Sequence, residues 1–186
     1  MMGEQILLYS LFSMIVDTVG GLFAGVLLLR FWMQVVRVRP PQPIAQFTFQ
    51  LTDWLIHPLR RVIPGVGGVD WASLLGSYLV ALLCAGLKVW LVSGLFSSAI
   101  PLLALFSVLQ WVIYGWTALL VMEVIFSWVN PVAPLAPFVR ALNAPLLNPL
   151  RQVMPSLGGL DLSPMVLFLL LQVAGKMLDV VFMSLM

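Results

Sequence analysis

A duplicated signature constrains this chain more than any other feature of its sequence. Residues 57–70 read HPLRRVIPGVGGVD and residues 148–161 read NPLRQVMPSLGGLD, at an offset of 91 residues that needs no gap. Over residues 40–70 against 131–161, 14 of 31 positions are identical. Proline, glycine, arginine and aspartate recur in register, which apolar composition alone does not produce. The chain is therefore predicted to contain two tandem copies of one structural unit. We call residues 57–70 and 148–161 the two elbows.

The composition places these units in a membrane. Hydrophobic residues make up 62% of the chain and charged residues only 9%, whereas soluble domains carry about 25% charged residues. So few charges cannot cover a surface that faces water. Four apolar runs are each long enough to cross about 30 Å of hydrocarbon at about 1.5 Å per residue. The first run lacks a basic leader and a small-residue cleavage site, so we expect a retained helix rather than a signal peptide.

We therefore predict an all-α integral membrane protein with four transmembrane helices, arranged as two parallel helix–interfacial segment–helix repeats. Repeat 1 covers residues 1–97 and repeat 2 covers residues 98–186. The predicted transmembrane helices are residues 6–36, 71–96, 101–129 and 163–185, and the interfacial helices are residues 44–63 and 135–154. Two crossings return the chain to its starting side, so both repeats have the same orientation.

Basic residues predict which side the elbows occupy. The side opposite the connecting regions carries no Lys or Arg. The connecting regions carry six arginines: Arg37, Arg39, Arg60, Arg61, Arg140 and Arg151. By the positive-inside rule, the connecting regions are predicted to face the cytoplasm and both termini the opposite side.

Each elbow pairs an arginine with an aspartate ten residues later. His57-Pro58 and Asn148-Pro149 predict a new helix start, because proline suits a first helical position. The glycines after Pro64 and Pro155 predict a sharp turn. The aspartate that follows is expected to accept N–H groups at the start of the next transmembrane helix, although in the second copy Ser163 could cap that helix and leave Asp161 free to bind Arg151.

Two hypotheses remain for the elbows. In the first they are re-entry turns, whose arginine binds phosphate or the aspartate. In the second, the Arg–Asp pairs form a site for an anionic lipid, a partner protein or a solute. The candidate lipid- or partner-binding residues are Arg60, Arg61, Asp70, Arg151 and Asp161.

Charged residues also occur within the apolar runs or at their edges: Asp17, Arg30, Lys88, Glu123, Lys176 and Asp179. Such charges are costly in a membrane and are usually paired or functional. Similar depths predict a pair between Asp17 and Lys88, and the spacing predicts a local pair between Lys176 and Asp179. Glu123 and Arg30 both lie near the cytoplasmic edge and form a third possible pair. The alternative to structural pairing is an ion or proton route through Asp17, Lys88 and Glu123.

Catalytic and metal-binding patterns are not found. Cys84 is the only cysteine and His57 the only histidine, which excludes a four-cysteine zinc site and an iron–sulfur cluster. Cys84 is expected to be a small buried apolar residue. The net charge of +2 does not suggest nucleic acid. We expect no enzymatic activity, no cofactor, no metal and no nucleic-acid partner.

Three stretches, residues 28–34, 58–64 and 149–164, resemble the YggT/YlmG family of small bacterial and organellar membrane proteins, in its two-repeat form. The resemblance covers essentially the whole chain. Gln152 stands where the family often has a second arginine, and Trp71-Ala-Ser replaces Leu-Ser-Pro in the first copy. The resemblance implies a multi-pass protein of the cell inner membrane without an established enzymatic activity. Members have been linked to osmotic-stress tolerance and ion uptake, to cell division and to assembly of membrane protein complexes.

From these observations we expect a non-enzymatic scaffold or assembly factor. It would bind membrane lipid, a membrane-protein partner or further copies of itself through the two cytoplasmic elbows. The alternative is a small oligomeric ion transporter or channel that contributes to osmotic-stress tolerance. Four helices leave little room for a pore within one chain, which favours the scaffold.

Overall fold

A computed structural model describes residues 2–63, 65, 67–95, 97–153 and 161–185. Six α-helices follow one another in this described part of the chain: α1 (Met2–Val35), α2 (Gln42–Val62), α3 (Trp71–Ser93), α4 (Ile100–Val129), α5 (Ala136–Val153) and α6 (Ser163–Leu185). The all-α architecture predicted from the sequence is confirmed.

Four of these helices are long and apolar enough to cross a membrane: Leu7–Val35, Trp71–Val92, Ile100–Val129 and Ser163–Leu185. Large apolar side chains such as Leu22, Leu83 and Val180 are exposed on them. An exposed apolar surface of this extent is stable in hydrocarbon rather than in water. The structure therefore has the four membrane-spanning helices that the sequence predicts.

The shorter helices α2 and α5 continue through their prolines. Pro58 lies inside α2, and Pro145 and Pro149 lie inside α5. The prediction that a new helix starts at Pro58 and Pro149 is therefore wrong. A proline removes one helical hydrogen bond and crowds the preceding turn. The neighbouring Ile56 and Leu147 are fully buried, so packing holds these turns in helical conformation despite the prolines.

The first elbow turns at its glycine pair, as predicted. Gly67 has a φ of 68° and Gly68 a φ of 77°, in the left-handed region that glycine adopts without steric penalty. The corresponding glycines of the second elbow, together with Pro64 and Pro155, lie outside the described residues.

Packing divides the chain into two units. Unit 1 comprises Met1–Phe31 and Thr48–Trp111, and unit 2 comprises Trp32–Phe47 and Val112–Met186. Leu27, Ile56 and Ala72 form a buried apolar cluster in unit 1. Leu120, Leu147, Leu167 and Leu171 form a buried apolar cluster in unit 2. Ile56 and Leu147 occupy the same position of the repeat, so one position of the duplicated sequence contributes to both buried apolar clusters.

Helix α1 approaches α3 closely at Gly20. A Cβ atom added at Gly20 would collide with Sγ of Cys84, which is buried as predicted. A Cβ at Gly21 would lie 3.0 Å from Nε1 of Trp111, whereas one at Gly25 would meet nothing within 4 Å. Gly20 and Gly21 of α1 therefore lie at close contacts with other side chains, whereas Gly25 does not.

Gly20→Ala is expected to lower the free energy of unfolding by about 1–3 kcal/mol, because the added methyl group overpacks this contact. Cys84→Ala vacates the space, so the double variant should recover most of that loss. Gly25→Ala is the matched control and should be close to neutral. Thermal unfolding in detergent measures all four proteins, and equal losses at positions 20 and 25 would contradict the close approach.

Candidate functional site

The Arg60–Asp70 pair of the first elbow belongs to a larger network. Arg60 donates from Nη2 to Asp70 Oδ2 at 2.6 Å and from Nε to Asp70 Oδ1 at 3.2 Å. Ser73 Oγ donates to Asp70 Oδ2 at 2.7 Å, and Arg30 Nε donates to the same oxygen at 3.2 Å. One carboxylate thus receives hydrogen bonds from side chains of α1, α2 and α3.

Arg30 is the buried cation of this network, with a side chain only 4% exposed. Its Nη1 donates to Thr52 Oγ1 at 2.7 Å and to Asp53 Oδ1 at 2.6 Å. The guanidinium also lies 4.9 Å from the ring centre of Phe49. A buried guanidinium is stable only when charges and hydrogen bonds compensate its lost hydration. Arg30, Arg60, Asp53 and Asp70 form the first cluster, in which two positive charges balance two negative ones.

Both ends of the Arg60–Asp70 pair stay ionised at neutral pH. Burial disfavours the charged form of Asp70, but hydrogen bonds from Arg60 and Ser73 and the charges of Arg60 and Arg30 outweigh it. The pKa of Asp70 therefore lies below its ordinary value. The hydrogen bond to Asp70 is the main reason that the pKa of Arg60 is raised.

The aspartates of the two elbows make different contacts with the following helix. Asp70 precedes α3, but its side chain makes no capping hydrogen bond, so the predicted capping role is wrong. Its oxygens are engaged by arginine and serine side chains instead. Asp161 Oδ1 accepts the backbone N–H of Ser163 at 2.9 Å, while Oδ2 accepts Arg151 Nε at 2.7 Å. Asp161 therefore binds both Arg151 and the start of α6.

The second elbow also recruits a carboxylate from a membrane-spanning helix. Arg151 Nη2 donates to Glu123 Oε1 on α4 at 3.1 Å. The Glu123 side chain is 9% exposed and that of Asp161 is 44% exposed. We call Arg151, Glu123 and Asp161 the second cluster. It contains one positive charge and two negative charges.

Opposing effects set the pKa values of the second elbow. Burial disfavours the charge of Arg151, but its hydrogen bonds to Asp161 and Glu123 outweigh that effect, so its pKa is raised. Burial likewise disfavours ionised Asp161, but hydrogen bonds from Arg151 and Ser163 lower its pKa overall. The Arg151–Asp161 pair is therefore ionised at neutral pH.

Two buried side-chain oxygens in the described part of unit 2 have no hydrogen-bond partner. They are Glu123 Oε2 and Asn143 Oδ1. Asn143 on α5 is 1% exposed and donates from Nδ2 to the backbone oxygen of Leu119 at 2.9 Å. Sequence reasoning missed Asn143. The sequence feature that could have identified Asn143 is its position in the repeat, which is equivalent to that of Thr52. Thr52 is also polar and buried, and it also binds a neighbouring helix.

Two of the three intramembrane pairs suggested by the sequence are present. Lys88 Nζ lies 2.6 Å from Asp17 Oδ1, and Lys176 Nζ lies 3.8 Å from Asp179 Oδ2. The suggested pair of Arg30 with Glu123 is wrong. Arg30 binds Asp53 and Asp70, and Glu123 binds Arg151. Depth in the membrane was a correct guide to the first pair, but it does not specify which face of a helix a charge occupies.

Four arginines in the connecting regions are exposed and form no ion pair among the described residues: Arg37, Arg39, Arg61 and Arg140. Arg61 is thus the one candidate residue of the elbows whose charge is not balanced within the described part of the chain. Arg60 and Arg151 are 44% and 34% exposed, respectively, while engaged with their aspartates.

The apolar stripe of α2 faces outward. Phe47 is 60% exposed, Leu51 37% and Trp54 68%. At the equivalent positions of α5, Phe138 is 7% exposed and Leu142 is fully buried. The two interfacial helices therefore use the same sequence pattern differently, since α5 packs its stripe inside the protein and α2 leaves it exposed.

Comparison with known proteins yields one family. Residues 9–91 and 102–182 each match the family described as CCB3/YggT. An uncharacterized protein YggT of Escherichia coli strain K12 is 40% identical over 163 residues, covering 87% of this chain and 85% of that protein. An uncharacterized protein of Pseudomonas aeruginosa is 37% identical over 163 residues, covering 85% and 83%. A protein of Vibrio alginolyticus is 34% identical over 169 residues, covering 88% and 90%. No solved structure matches.

Proposed function

The chain belongs to the CCB3/YggT family, and from the contacts above we propose that it is a non-enzymatic scaffold of the inner membrane. In this proposal α2 and α5 lie at the cytoplasmic interface, and the exposed arginines of the connecting regions bind the phosphates of anionic lipids. The membrane-spanning helices would hold this basic surface in place for membrane-protein partners to assemble on.

The observation that carries the proposal is that the basic residues fall into two groups, those in ion pairs within the protein and those exposed on the connecting regions. The chain has nine Lys and Arg residues. Five of them form ion pairs within the protein: Arg30, Arg60, Lys88, Arg151 and Lys176. The other four are the exposed arginines of the connecting regions. A guanidinium binds phosphate through two parallel hydrogen bonds, and each basic residue at an anionic leaflet contributes about 1 kcal/mol of attraction.

The exposed stripe of α2 supports the same placement. Phe47, Leu51 and Trp54 form an apolar face on a helix that is too polar to span the membrane. A helix of this kind lies in the interface plane with its apolar face in the headgroup region. Trp54 is the type of residue enriched at that depth. Hydrocarbon contact at this stripe would hold Arg61, on the same helix, close to the phosphates.

The internal clusters support a positioning role for four of the five elbow candidates. Arg60 and Asp70 join α2 to the start of α3, and Arg151 and Asp161 join α5 to the start of α6. Their charges are used inside the protein, so lipid binding is proposed for Arg61 and the other exposed arginines. The clusters would fix the angle between each interfacial helix and the membrane-spanning helix that follows it.

Replacing Arg61 and Arg140 together by glutamine is expected to reduce retention of phosphatidylglycerol and cardiolipin several-fold, because two exposed guanidinium groups that would bind phosphate are removed. Native mass spectrometry of protein released from its own membranes measures the bound lipid. Lys176→Gln is the control, since Lys176 is exposed and lies outside both connecting regions.

Equal lipid retention in the double variant and the wild type would contradict the proposal. A defined protein that co-purifies with the wild type, but not with the double variant, would assign the basic surface to a protein partner instead of lipid.

Ion transport is the second candidate, favoured by a cavity in unit 1. It has a volume of about 360 Å³ and is lined in part by Tyr9, Lys88 and Ser107. Lys88 lines it while paired with Asp17. Ion flux into proteoliposomes that Asp17→Asn abolishes would replace the scaffold proposal with a transport one.

A further inference from the structure

The two clusters occupy corresponding places in the repeat but differ in net charge. The first cluster is neutral. The second has one more negative charge than positive charge within unit 2. The position of Asp53 is taken by Ala144, and the position of Arg30 by Val121, so the second copy loses one negative and one positive charge, which cancel. The difference in net charge comes from Glu123 on α4, which stands at the position of Trp32.

The excess negative charge lies at a buried group with unused hydrogen-bonding capacity. The Glu123 side chain is 9% exposed. Its Oε1 accepts a hydrogen bond from Arg151, while Oε2 has no partner in the described part of the chain. In the first cluster, by contrast, each oxygen of Asp70 accepts at least one hydrogen bond. A buried carboxylate oxygen without a partner is energetically costly, and such atoms in a folded protein often mark a bound water or ion.

Asn143 supplies a second unpartnered oxygen near the same place. Its Nδ2 is fixed by the backbone oxygen of Leu119, which lies four residues before Glu123 on α4. Residues four apart share one face of a helix and are separated by about 5–6 Å. The amide oxygen of Asn143 and the carboxylate of Glu123 therefore flank one short stretch of α4, and both are buried.

We propose that the second cluster binds one monovalent inorganic cation through Glu123 Oε2 and Asn143 Oδ1. Carboxylate and amide oxygens are hard ligands that suit such ions rather than transition metals. One positive charge brings the cluster to neutrality, which a divalent ion would overshoot. No group of three or more His, Cys, Asp or Glu that could hold a metal occurs among the described residues. Arg140 is also on α5, but it is exposed and makes no ion pair in the described part of the chain.

This site does not depend on the proposed scaffold function, because it lies inside unit 2 and uses none of the exposed arginines. The test uses full-length protein in detergent, with NaCl or KCl titrated against choline chloride at constant ionic strength. The unfolding midpoint of the wild type should rise by several degrees and saturate with Na⁺ or K⁺, because a ligand that binds only the folded state stabilises it. Choline should have no such effect.

Glu123→Gln removes the excess charge and keeps an oxygen for Arg151. Its midpoint in choline chloride should be higher than that of the wild type, and it should no longer respond to Na⁺ or K⁺. Asp53→Asn is the matched control in the first cluster, and it should keep the cation response of the wild type.

Direct binding of radioactive ²²Na⁺ or ⁸⁶Rb⁺ gives a readout that is independent of unfolding. Asn143→Leu keeps the carboxylate of Glu123 and the branched shape of the side chain at position 143, and it should weaken cation binding at least tenfold. This variant keeps the proposal testable if Glu123→Gln does not fold.

Three results would overturn the cation site. The first is a wild type whose stability and ion binding are the same in sodium, potassium and choline. The second is a cation response that survives in Glu123→Gln. The third is a midpoint that changes between pH 6 and pH 8 but not with the cation, which would assign the neutralising charge to a proton.

Discussion

Replacing Asp70 by alanine is expected to lower the free energy of unfolding by about 3–5 kcal/mol, the range found when one partner of a buried ion pair is removed. The Asp70 side chain is 2% exposed and accepts hydrogen bonds from Arg30, Arg60 and Ser73. Its loss leaves the buried guanidinium of Arg30 with Asp53 as its one remaining anionic partner among the residues that the structure describes. Chemical unfolding in detergent, together with protein level in the cell, measures the effect.

The repeat supplies the matched control. Asp161 occupies the position of Asp70 in the second copy, but its side chain is 44% exposed. Asp161→Ala is therefore expected to cost only about 1 kcal/mol, because ion pairs open to solvent contribute little. Equal losses for the two variants would show that Asp70 is not the centre of a buried network.

Asp70 also gives the free energy of unfolding an expected pH dependence. The pKa of Asp70 is lowered in the folded protein, so its contribution is complete above the ordinary aspartate pKa of about 3.9. The contribution is lost as the pH falls through the folded-state pKa. Below about pH 4, the free energy of unfolding should therefore fall more steeply in the wild type than in Asp70→Asn.

The sequence predicted those features that depend only on position along the chain. Helix spans follow from the length of apolar runs. The Asp17–Lys88 pair follows from equal depth, since both residues lie a similar distance along their helices from the same membrane face. The turn at Gly67 and Gly68 follows from local conformational preference.

Features that depend on how helices face one another were not predictable in the same way. Arg30 and Glu123 lie at similar estimated depths, yet each binds the elbow of its own unit. Helix α2 continues through Pro58 because burial of Ile56 outweighs a local preference. Asn143 was not singled out in the sequence, because only its packing against α4 makes it a buried ligand candidate.

Arg151→Ala is the second substitution with a large expected effect, about 2–4 kcal/mol of lost unfolding free energy. It leaves Glu123 buried without its arginine partner, and a buried charge that loses its partner is strongly destabilising. The range is set below that of Asp70→Ala because the Arg151 side chain is 34% exposed. Arg140→Ala, on the same helix, removes an exposed arginine that forms no ion pair in the described residues, and should change stability by about 0.5 kcal/mol or less.

A double-variant cycle separates the charge from the packing of Arg151. Adding Glu123→Gln to Arg151→Ala should restore more than half of the lost stability, because a neutral amide no longer needs a cationic partner. Strict additivity of the two substitutions, with a coupling energy below about 0.5 kcal/mol, would show that Arg151 acts through packing alone. A large coupling energy would show that the attraction between Arg151 and Glu123 holds the second elbow. Because one arginine only partly neutralises the two carboxylates of the second cluster, a bound cation would then add stability.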